Sequence, residues 1–282
     1  MPTIVDLSTL PAPGVIEELD FEVLLADLRA DLLQRYPEAA DVLDLESEPL
    51  VKLMQAFAYR ELLYRQRVNE AARSNLLAFA NGTDLDHKGA FYNLPRLPGE
   101  LDARYRVRIQ LRIAALAGNG TGEQYQLLAM TSSQNVRSAS VGHVQPGSVA
   151  LVLWLIDAGQ AEATLAQVRT ALAAENARPL GVSVSVSLAQ AKPIRVAARL
   201  WREPAAPVDL VQQIAAALPP AVASYAALGR DVPRSWITAR LHVAGVARVE
   251  FVDAESPPEN TVLQANEFPS IGELHLLDQG VI

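Results

Sequence analysis

One long amphipathic helix is predicted for residues 49–80, PLVKLMQAFAYRELLYRQRVNEAARSNLLAFA, and it decides the fold. Ser47 suits an N-cap, Pro49 suits the first turn, and Asn81-Gly82 is a typical C-terminal stop. At 1.5 Å per residue the helix would be about 45 Å long. That length exceeds the core that about 100 neighbouring residues can build. The helix should therefore need a partner along its apolar face, which carries Leu50, Leu53, Met54, Phe57, Tyr64 and Val68.

The segments on either side of this helix also have helical patterns. Residues 16–36 repeat leucine and isoleucine at spacings of three and four, and they predict a helix that ends before Pro37. Thr83 or Asp84 is the expected cap of a short helix through residue 92. Residues 101–117 alternate partly like a strand, but their alanine-rich continuation favours a helix.

The pattern changes in the second half of the chain, where Thr121 and Gln124 have the spacing of a capping box that opens a helix to residue 132. Two strand–helix–strand successions follow. Their expected ranges are strand 149–156, helix 161–175 and strand 182–188, then strand 194–201, helices 208–218 and 235–242, and strand 246–252. A last strand, 272–277, completes a sheet or crosses to a neighbouring copy.

These patterns predict an α+β protein: a helical N-terminal region with a long helix, followed by two small α+β modules. The expected domains are residues 1–98 (helical bundle region), 99–189 (helices with an α+β part) and 190–282 (a C-terminal α+β domain). No apolar run approaches the ~20 residues of a membrane helix. The opening residues 1–14 also lack the features of a secretory signal.

Composition excludes several classes of function. The chain has no cysteine, which excludes thiol catalysis, thiolate metal sites and disulfides, and which fits folding in a reducing cytoplasm. Its four histidines are scattered along the sequence. Residues 118–122, GNGTG, lack the spacing of a dinucleotide loop and the lysine of a phosphate loop, so they predict a helix–helix turn. Asp84, Asp86 and His87 could ligate a metal, but helix caps and a surface histidine explain them better.

No catalytic, cofactor or metal residue is predicted. The acidic run at residues 17–22 lies at a helix start, where the helix dipole stabilises negative charge. No nucleophile elbow, zinc-binding motif or Ser/His/Asp grouping is present in the sequence. Trp154, Trp201 and Trp236 lie within the α+β modules and are expected in cores rather than as stacking platforms. The residues alone therefore indicate a non-catalytic, multi-domain assembly protein.

Charge is distributed unevenly. Residues 1–50 carry a net charge of −10, residues 51–112 carry +5, and the remainder carries −3. An acidic segment beside a basic one can pair with itself or with a neighbouring copy, and it argues against a nucleic-acid surface. On a helix, Arg104, Arg108 and Arg112 form one stripe, which we expect to meet acidic side chains of a partner or of residues 17–48.

The sequence resembles the baseplate J-like assembly proteins of contractile-tail phages and of R-type pyocins, which are tailocins. The resemblance covers residues 4–252 in order, and the tail after Asp253 matches least well. The stretches that carry it are VDLSTLPAPGVIEELDFEVLLA, LESEPLVKLMQAFAYRELLYRQRVNEAAR, LLAFANGTDLDHKGAFYNLPR, ARYRVRIQL with GTGEQY, and LGRDVPRSWITARLHVAGVARVEF.

The resemblance implies a structural wedge component of the baseplate. Its expected partners are a second copy of itself, a second baseplate wedge protein, the sheath initiator, and neighbouring wedges through the C-terminal domain, with no nucleic acid and no membrane. Wedges would close a ring around the tail hub. The protein would occupy the bacterial cytoplasm during assembly and then the baseplate of the virion or tailocin particle. Residues 190–282 would self-associate through the alternating strand that carries Arg195, Arg199 and Trp201.

Other classes of function stay open. The chain could be a wedge component of another contractile injection or secretion system. It could also be a baseplate-associated enzyme, against which stands the lack of an acid–base or metal constellation. A small-ligand regulatory module built on the two α+β repeats is a third possibility, but no polar loop at a strand end supports it.

Overall fold

Four helices build the first part of the chain: α1 (Phe21–Arg35), α2 (Pro49–Ser74), α3 (Gly82–Phe91) and α4 (Asp102–Ala115). The structure is a computed structural model that describes residues 7, 10–11, 13–45, 47–118, 120–145, 147–174, 177–179 and 181–282. The chain divides into two units, Met1–Gln110 (unit 1) and Leu111–Ile282 (unit 2). Parts of three predicted features lie outside the described residues: the opening 1–14, Asn119 of the 118–122 turn, and Glu175 at a helix end.

The α1 helix begins at Phe21 because Asp20 caps it. The Asp20 side chain accepts hydrogen bonds from the backbone N–H groups of Glu22 and Val23. The predicted start at residue 16 was therefore too early. Leucines of α1 pack against a small core formed by Ala39, Leu43 and Met54. This core holds α1 against the first half of α2.

The α2 helix has 26 residues, so it is about 39 Å long and shorter than predicted. Its N-cap is Glu48, without a side-chain bond, so the prediction of Ser47 as the cap was wrong; Pro49 does lie in the first turn. The helix ends at Ser74 rather than near residue 80. Beyond it, Arg106 of α4 donates hydrogen bonds to the carbonyls of Leu77 and Ala80.

Asn81-Gly82 begins α3 instead of ending α2. Gly82 adopts a φ of +52°, a left-handed conformation that favours glycine. Its N–H donates to the Asp102 carboxylate at 2.9 Å, which ties the start of α3 to the start of α4. The helix over residues 101–117 is confirmed by α4.

Unit 2 contains two three-stranded sheets with helices packed against them. Its helices are α5 (Gly122–Ser132), α6 (Ala161–Ala173), α7 (Leu210–Tyr225) and α8 (Arg234–Leu241). Its strands are β1 (Val136–Gln145), β2 (Ser148–Leu155), β3 (Ser183–Leu188), β4 (Gln190–Arg202), β5 (Val232–Pro233), β6 (Val246–Phe251), β7 (Asn260–Thr261) and β8 (Glu267–Val281). The predicted α+β fold class is confirmed.

The two sheets have related topologies. The first has the order β1-β2-β3, in which β2 pairs antiparallel with β1 and parallel with β3. The second has the order β6-β4-β8, in which β4 pairs antiparallel with β6 and parallel with β8. The last strand therefore completes a sheet of its own chain. It is longer than the predicted range 272–277, because it follows β4 along nearly its whole length.

Two elements of unit 2 differ from the sequence prediction. β1 was not predicted, since its sequence, VRSASVGHVQ, has few large apolar residues. Antiparallel pairing with β2 holds this segment as a strand. α7 continues past residue 218 through Pro219 and Pro220. Two prolines remove backbone hydrogen bonds, and the burial of Val222 in the core of the second sheet favours the continued helix. Among the described residues, no helix is long and apolar enough to cross a membrane.

Candidate interaction surfaces

The predicted apolar face of α2 is divided into an exposed part and a buried part. Leu53, Phe57, Tyr64 and Val68 have 53%, 60%, 71% and 59% of their surface exposed. At about 100° per residue these four side chains fall within an arc of about 60°, and we call them the α2 stripe. Isolated soluble chains rarely expose large contiguous apolar surfaces. The α2 stripe is therefore the main candidate for a surface that another protein covers.

Leu50 and Met54 belong to the chain's own core. Met54 is buried with Ala39 and Leu43, and Leu50 packs against the same cluster. Met54 lies about 100° around the helix from Leu53, which turns it away from the α2 stripe. The expectation of a partner contact is therefore corrected for Met54, whereas Leu50 is only partly buried and stays a predicted contact.

The charges along α2 are only partly paired. Arg65 contacts Glu61 at 2.7 Å and Glu17 at 3.1 Å. The hydrogen bond that Arg65 donates to the Glu61 carboxylate is the main cause that raises the pKa of Arg65. Arg60, by contrast, is exposed and forms no ion pair with any described residue. The same holds for Lys52 and Arg73, so this exposed helix keeps an excess of positive charge.

The arginine stripe on α4 is directed inward. Arg108 contacts Glu100 at 2.5 Å, and Arg104 contacts the second oxygen of the same carboxylate. The side chains of Glu100 and Arg108 are buried, and burial lowers the pKa of Arg104. The carboxylate that these two arginines meet in the structure is thus Glu100 of the same unit rather than one in residues 17–48. Arg112, one turn further along, is half-buried.

Sequence reasoning did not single out Glu100, although a signal existed. Glu100 lies just before α4, four residues before Arg104 and eight before Arg108, and Arg104 and Arg108 share the face of α4 that is directed back toward it. Gly89 was also missed. A Cβ atom at Gly89 would lie 1.7 Å from the hydroxyl oxygen of Tyr105, which itself donates to the carbonyl of Leu94 at 2.6 Å. Only glycine fits this approach between α3 and α4.

A second ionic cluster fixes the start of α4. Arg96 contacts Asp86 at 2.6 Å and Asp102 at 2.6 Å. The hydrogen bond from the Gly82 N–H, followed by the interaction with Arg96, holds the pKa of Asp102 below its ordinary value. Asp86 is thus paired with Arg96. Of the three residues considered above as metal ligands, Asp84 and His87 are not part of this cluster.

Asp84 and His87 line an open cavity of about 420 Å³ together with Ser74, Asn75, Lys88, Phe91 and Tyr92. Within the part of the chain that the structure describes, no group of three or more His, Cys, Asp or Glu side chains could hold a metal ion.

The 118–122 segment precedes a capped helix. Thr121 accepts a hydrogen bond from the Gln124 N–H at 3.3 Å, and Gly120 donates to the Gln124 side chain.

The second sheet has one buried face and one open face. Ile194, Val196, Ala198 and Leu200 of β4 are buried in a core with residues of α7 and α8. On the open face, Arg195 contacts Glu273 at 3.1 Å and Arg199 contacts Glu250 at 3.6 Å. Trp201 lies under Arg248, whose guanidinium is 4.8 Å from the ring centre.

One face of the sheet therefore carries the three predicted residues Arg195, Arg199 and Trp201. The two arginines are paired with carboxylates of the same chain. Leu277 of β8 lies opposite Arg199 in the strand register and is half exposed. The other two tryptophans pack on aromatic side chains: Trp154 stacks on Phe268 and Trp236 packs on Tyr225. The prediction of a core position was wrong for Trp201, which lies partly exposed on the open face.

Comparison with known proteins places the chain among baseplate proteins. Residues 46–98 match the family model of the baseplate J-like N-terminal domain. Baseplate protein J of Escherichia phage P2 is 39% identical over 300 aligned positions, which cover 98% of this chain and 98% of that protein. A solved structure of the anti-feeding prophage baseplate is similar with a TM-score of 0.43 and 15% identity, over 64% of this chain and 43% of that chain.

Proposed function

The chain belongs to the baseplate J family, and from this membership we propose that it is a structural protein of the baseplate of a contractile tail, in a phage or a phage-tail-like bacteriocin. The observation that carries the proposal is the similarity to the phage P2 protein over 98% of both chains. A relationship over nearly the full length of both chains supports a shared role rather than a shared module.

We further propose that the chain is a wedge component without catalytic activity. Its partners would be a second copy, a second wedge protein, the sheath initiator and the neighbouring wedges. The exposed apolar α2 stripe supports this role, because it offers a helical surface with no cover among the described residues. The two arginines bound to Glu100 stabilise the unit that presents this helix. The protein would be assembled in the bacterial cytoplasm and then reside in the baseplate.

Self-association through the C-terminal part, residues 190–282, is a second component of the proposal. The open face of the second sheet carries Arg195, Arg199 and Trp201 beside the exposed Leu277. Ion pairs that are satisfied within one chain contribute little to association on their own. We therefore assign the affinity of this contact mainly to Trp201 and Leu277, and its orientation to the charges.

Deletion and complementation in the producing bacterium test the proposed function. Removal of the gene should leave free tail tubes and sheaths without baseplates in electron micrographs, and the natural gene on a plasmid should restore intact particles. Phe57→Glu should fail to restore them although the variant folds, whereas Ala90→Glu, on an exposed position of α3, should restore them. Normal particles after deletion would refute the proposal.

A further inference from the structure

The strand β3 forms an edge of the first sheet that carries no charge. It pairs with β2 on one side, and no described strand pairs with its other side. Its sequence, SVSVSL, contains neither a charged residue nor a proline. The other edge strands of the two three-stranded sheets all carry charge, such as Arg137 in β1, Glu250 in β6 and Glu273 in β8. Natural proteins protect free sheet edges with charges or prolines, because an open edge can pair with another strand. The edge of β3 lacks this protection.

Alternate residues of β3 direct their backbone groups to the free edge. The Ser183 N–H donates to the Gly147 carbonyl at 2.9 Å, on the side of β2. Because the direction alternates along a strand, the N–H and C=O groups of Val184, Val186 and Leu188 point away from β2. The side chains of these three residues lie in register with buried residues of β2, yet they are themselves only partly buried or exposed. An added strand would pair with these backbone groups and cover these side chains.

One described side chain reaches this edge from α6. Arg169 donates a single long hydrogen bond, of 3.4 Å, to the Val186 carbonyl, as expected for a carbonyl that faces the free edge. Arg169 is exposed, so its side chain can turn into solvent at the cost of one weak bond. The helix therefore does not close the edge against another strand.

A second copy of β3 is the occupant that the sequence favours. The strand reads the same in both directions around Ser185: Val184 matches Val186, and Ser183 matches Ser187. Two antiparallel copies related by a two-fold axis at Ser185 would place valine opposite valine and serine opposite serine. Like charges directly opposite each other destabilise such a pair, and an uncharged strand brings none. A symmetric contact of this kind also closes as a dimer.

We propose that β3 of one copy pairs antiparallel with β3 of a second copy, so that the two first sheets join into one continuous sheet. In this contact Arg169 turns away, and the Val186 carbonyl accepts from the Val184 N–H of the other copy. The contact uses neither α2 nor the open face of the second sheet, so it goes beyond the surfaces named in the proposed function.

Disulfide cross-linking of the full chain reports this contact alone, because the natural chain has no cysteine. Ser185→Cys would face the same residue of the other copy in a non-hydrogen-bonded pair, with the two Cα atoms about 4.5 Å apart. A disulfide accepts Cα distances of about 4.4–6.8 Å. Under mild oxidation, a non-reducing gel should therefore show a linked dimer.

Ser187→Cys is the matched control for Ser185→Cys. In the proposed register the two copies of residue 187 are offset by four residues, about 14 Å, so this variant should cross-link more than about tenfold more slowly. Residue 187 instead lies opposite residue 183 of the other copy. A mixture of Ser183→Cys and Ser187→Cys should therefore form a linked dimer that neither variant forms alone.

Two changes at the edge should each abolish the cross-link of Ser185→Cys. Val186→Pro removes an N–H that faces the free edge, so the bonds between β3 and β2 can stay. If circular dichroism shows that this variant loses structure, Ser183→Lys combined with Ser187→Lys places like charges opposite each other at exposed positions. Ala163→Lys, at an exposed position of α6, should leave the cross-link unchanged.

Three results would overturn the proposal: no linked dimer from Ser185→Cys, equal cross-linking of Ser185→Cys and Ser187→Cys, or full cross-linking in the presence of both lysines. If a strand of another protein occupies this edge, Ser185→Cys stays unlinked while Val186→Pro fails to restore baseplates. If no link forms while gene deletion still abolishes baseplates, the pairing of β3 is wrong and the proposed function stands.

Discussion

Replacement of Glu100 by Gln should strongly destabilise unit 1. The Glu100 carboxylate is buried and binds both Arg104 and Arg108, and the Arg108 guanidinium is itself almost fully buried. Glutamine has a similar shape but no charge, so Glu100→Gln removes the negative charge that the buried Arg108 guanidinium contacts. Breaking a buried pair in this way costs about 3–5 kcal/mol. For a urea dependence of about 1–3 kcal/mol/M, the unfolding midpoint should fall by at least about 1 M.

Urea denaturation of the full chain can separate the two units. Far-UV circular dichroism reports the helices of both units, whereas Trp154, Trp201 and Trp236 all lie in unit 2. We expect Glu100→Gln to shift the circular dichroism transition more than the tryptophan fluorescence transition. The double variant Glu100→Gln with Arg108→Met is the matched control and should recover part of the loss, since no unpaired charge then stays buried at that position. A loss below about 1 kcal/mol in Glu100→Gln, as for an exposed ion pair, would refute this reasoning.

Three further predictions concern other features of the structure. Gly89→Ala should lower the free energy of unfolding by about 1–3 kcal/mol, because the new methyl group overlaps the Tyr105 hydroxyl; a change below experimental error in thermal unfolding would contradict it. Asp102 has a lowered pKa in the folded chain, so its stabilisation is complete above the pKa of an unfolded aspartate, about 3.9, and is lost as pH falls through the folded value. Asp102→Asn should therefore remove part of the acid-induced loss of stability between pH 7 and acidic pH, and an unchanged pH dependence would argue against it. Trp201→Glu should weaken self-association of the chain through residues 190–282 while Ser235→Glu, at an exposed position of α8, should not; equal affinities by sedimentation would remove the open sheet face from the account.

Helical periodicity predicted most of the fold, because amphipathic spacing reflects which side of each element is buried. The α4 helix and the capping box at Thr121 and Gln124 were found in this way. The end of α2 was not, because Asn81-Gly82 begins α3 instead of ending α2, and the Gly82 N–H donates to Asp102, 20 residues further along the chain. Contacts at that separation leave no local signal.

The sequence predicted which residues form the candidate surfaces, but not whether each side chain faces the solvent or the core. One apolar face was assigned to α2, yet Met54 and Leu53, adjacent in sequence, lie on its buried and exposed sides. The arginines of α4 were recognised as a stripe, but the buried acceptor Glu100 was not. A single sequence shows that a helix is amphipathic, whereas the width of its buried arc depends on the packing of α1.

A cryo-electron microscopy map of purified particles is the most direct test of a baseplate role. We expect density for this chain in the baseplate, in several symmetry-related copies, with the α2 stripe around Phe57 covered by another protein chain. A complete baseplate map in which no density fits either unit would contradict it.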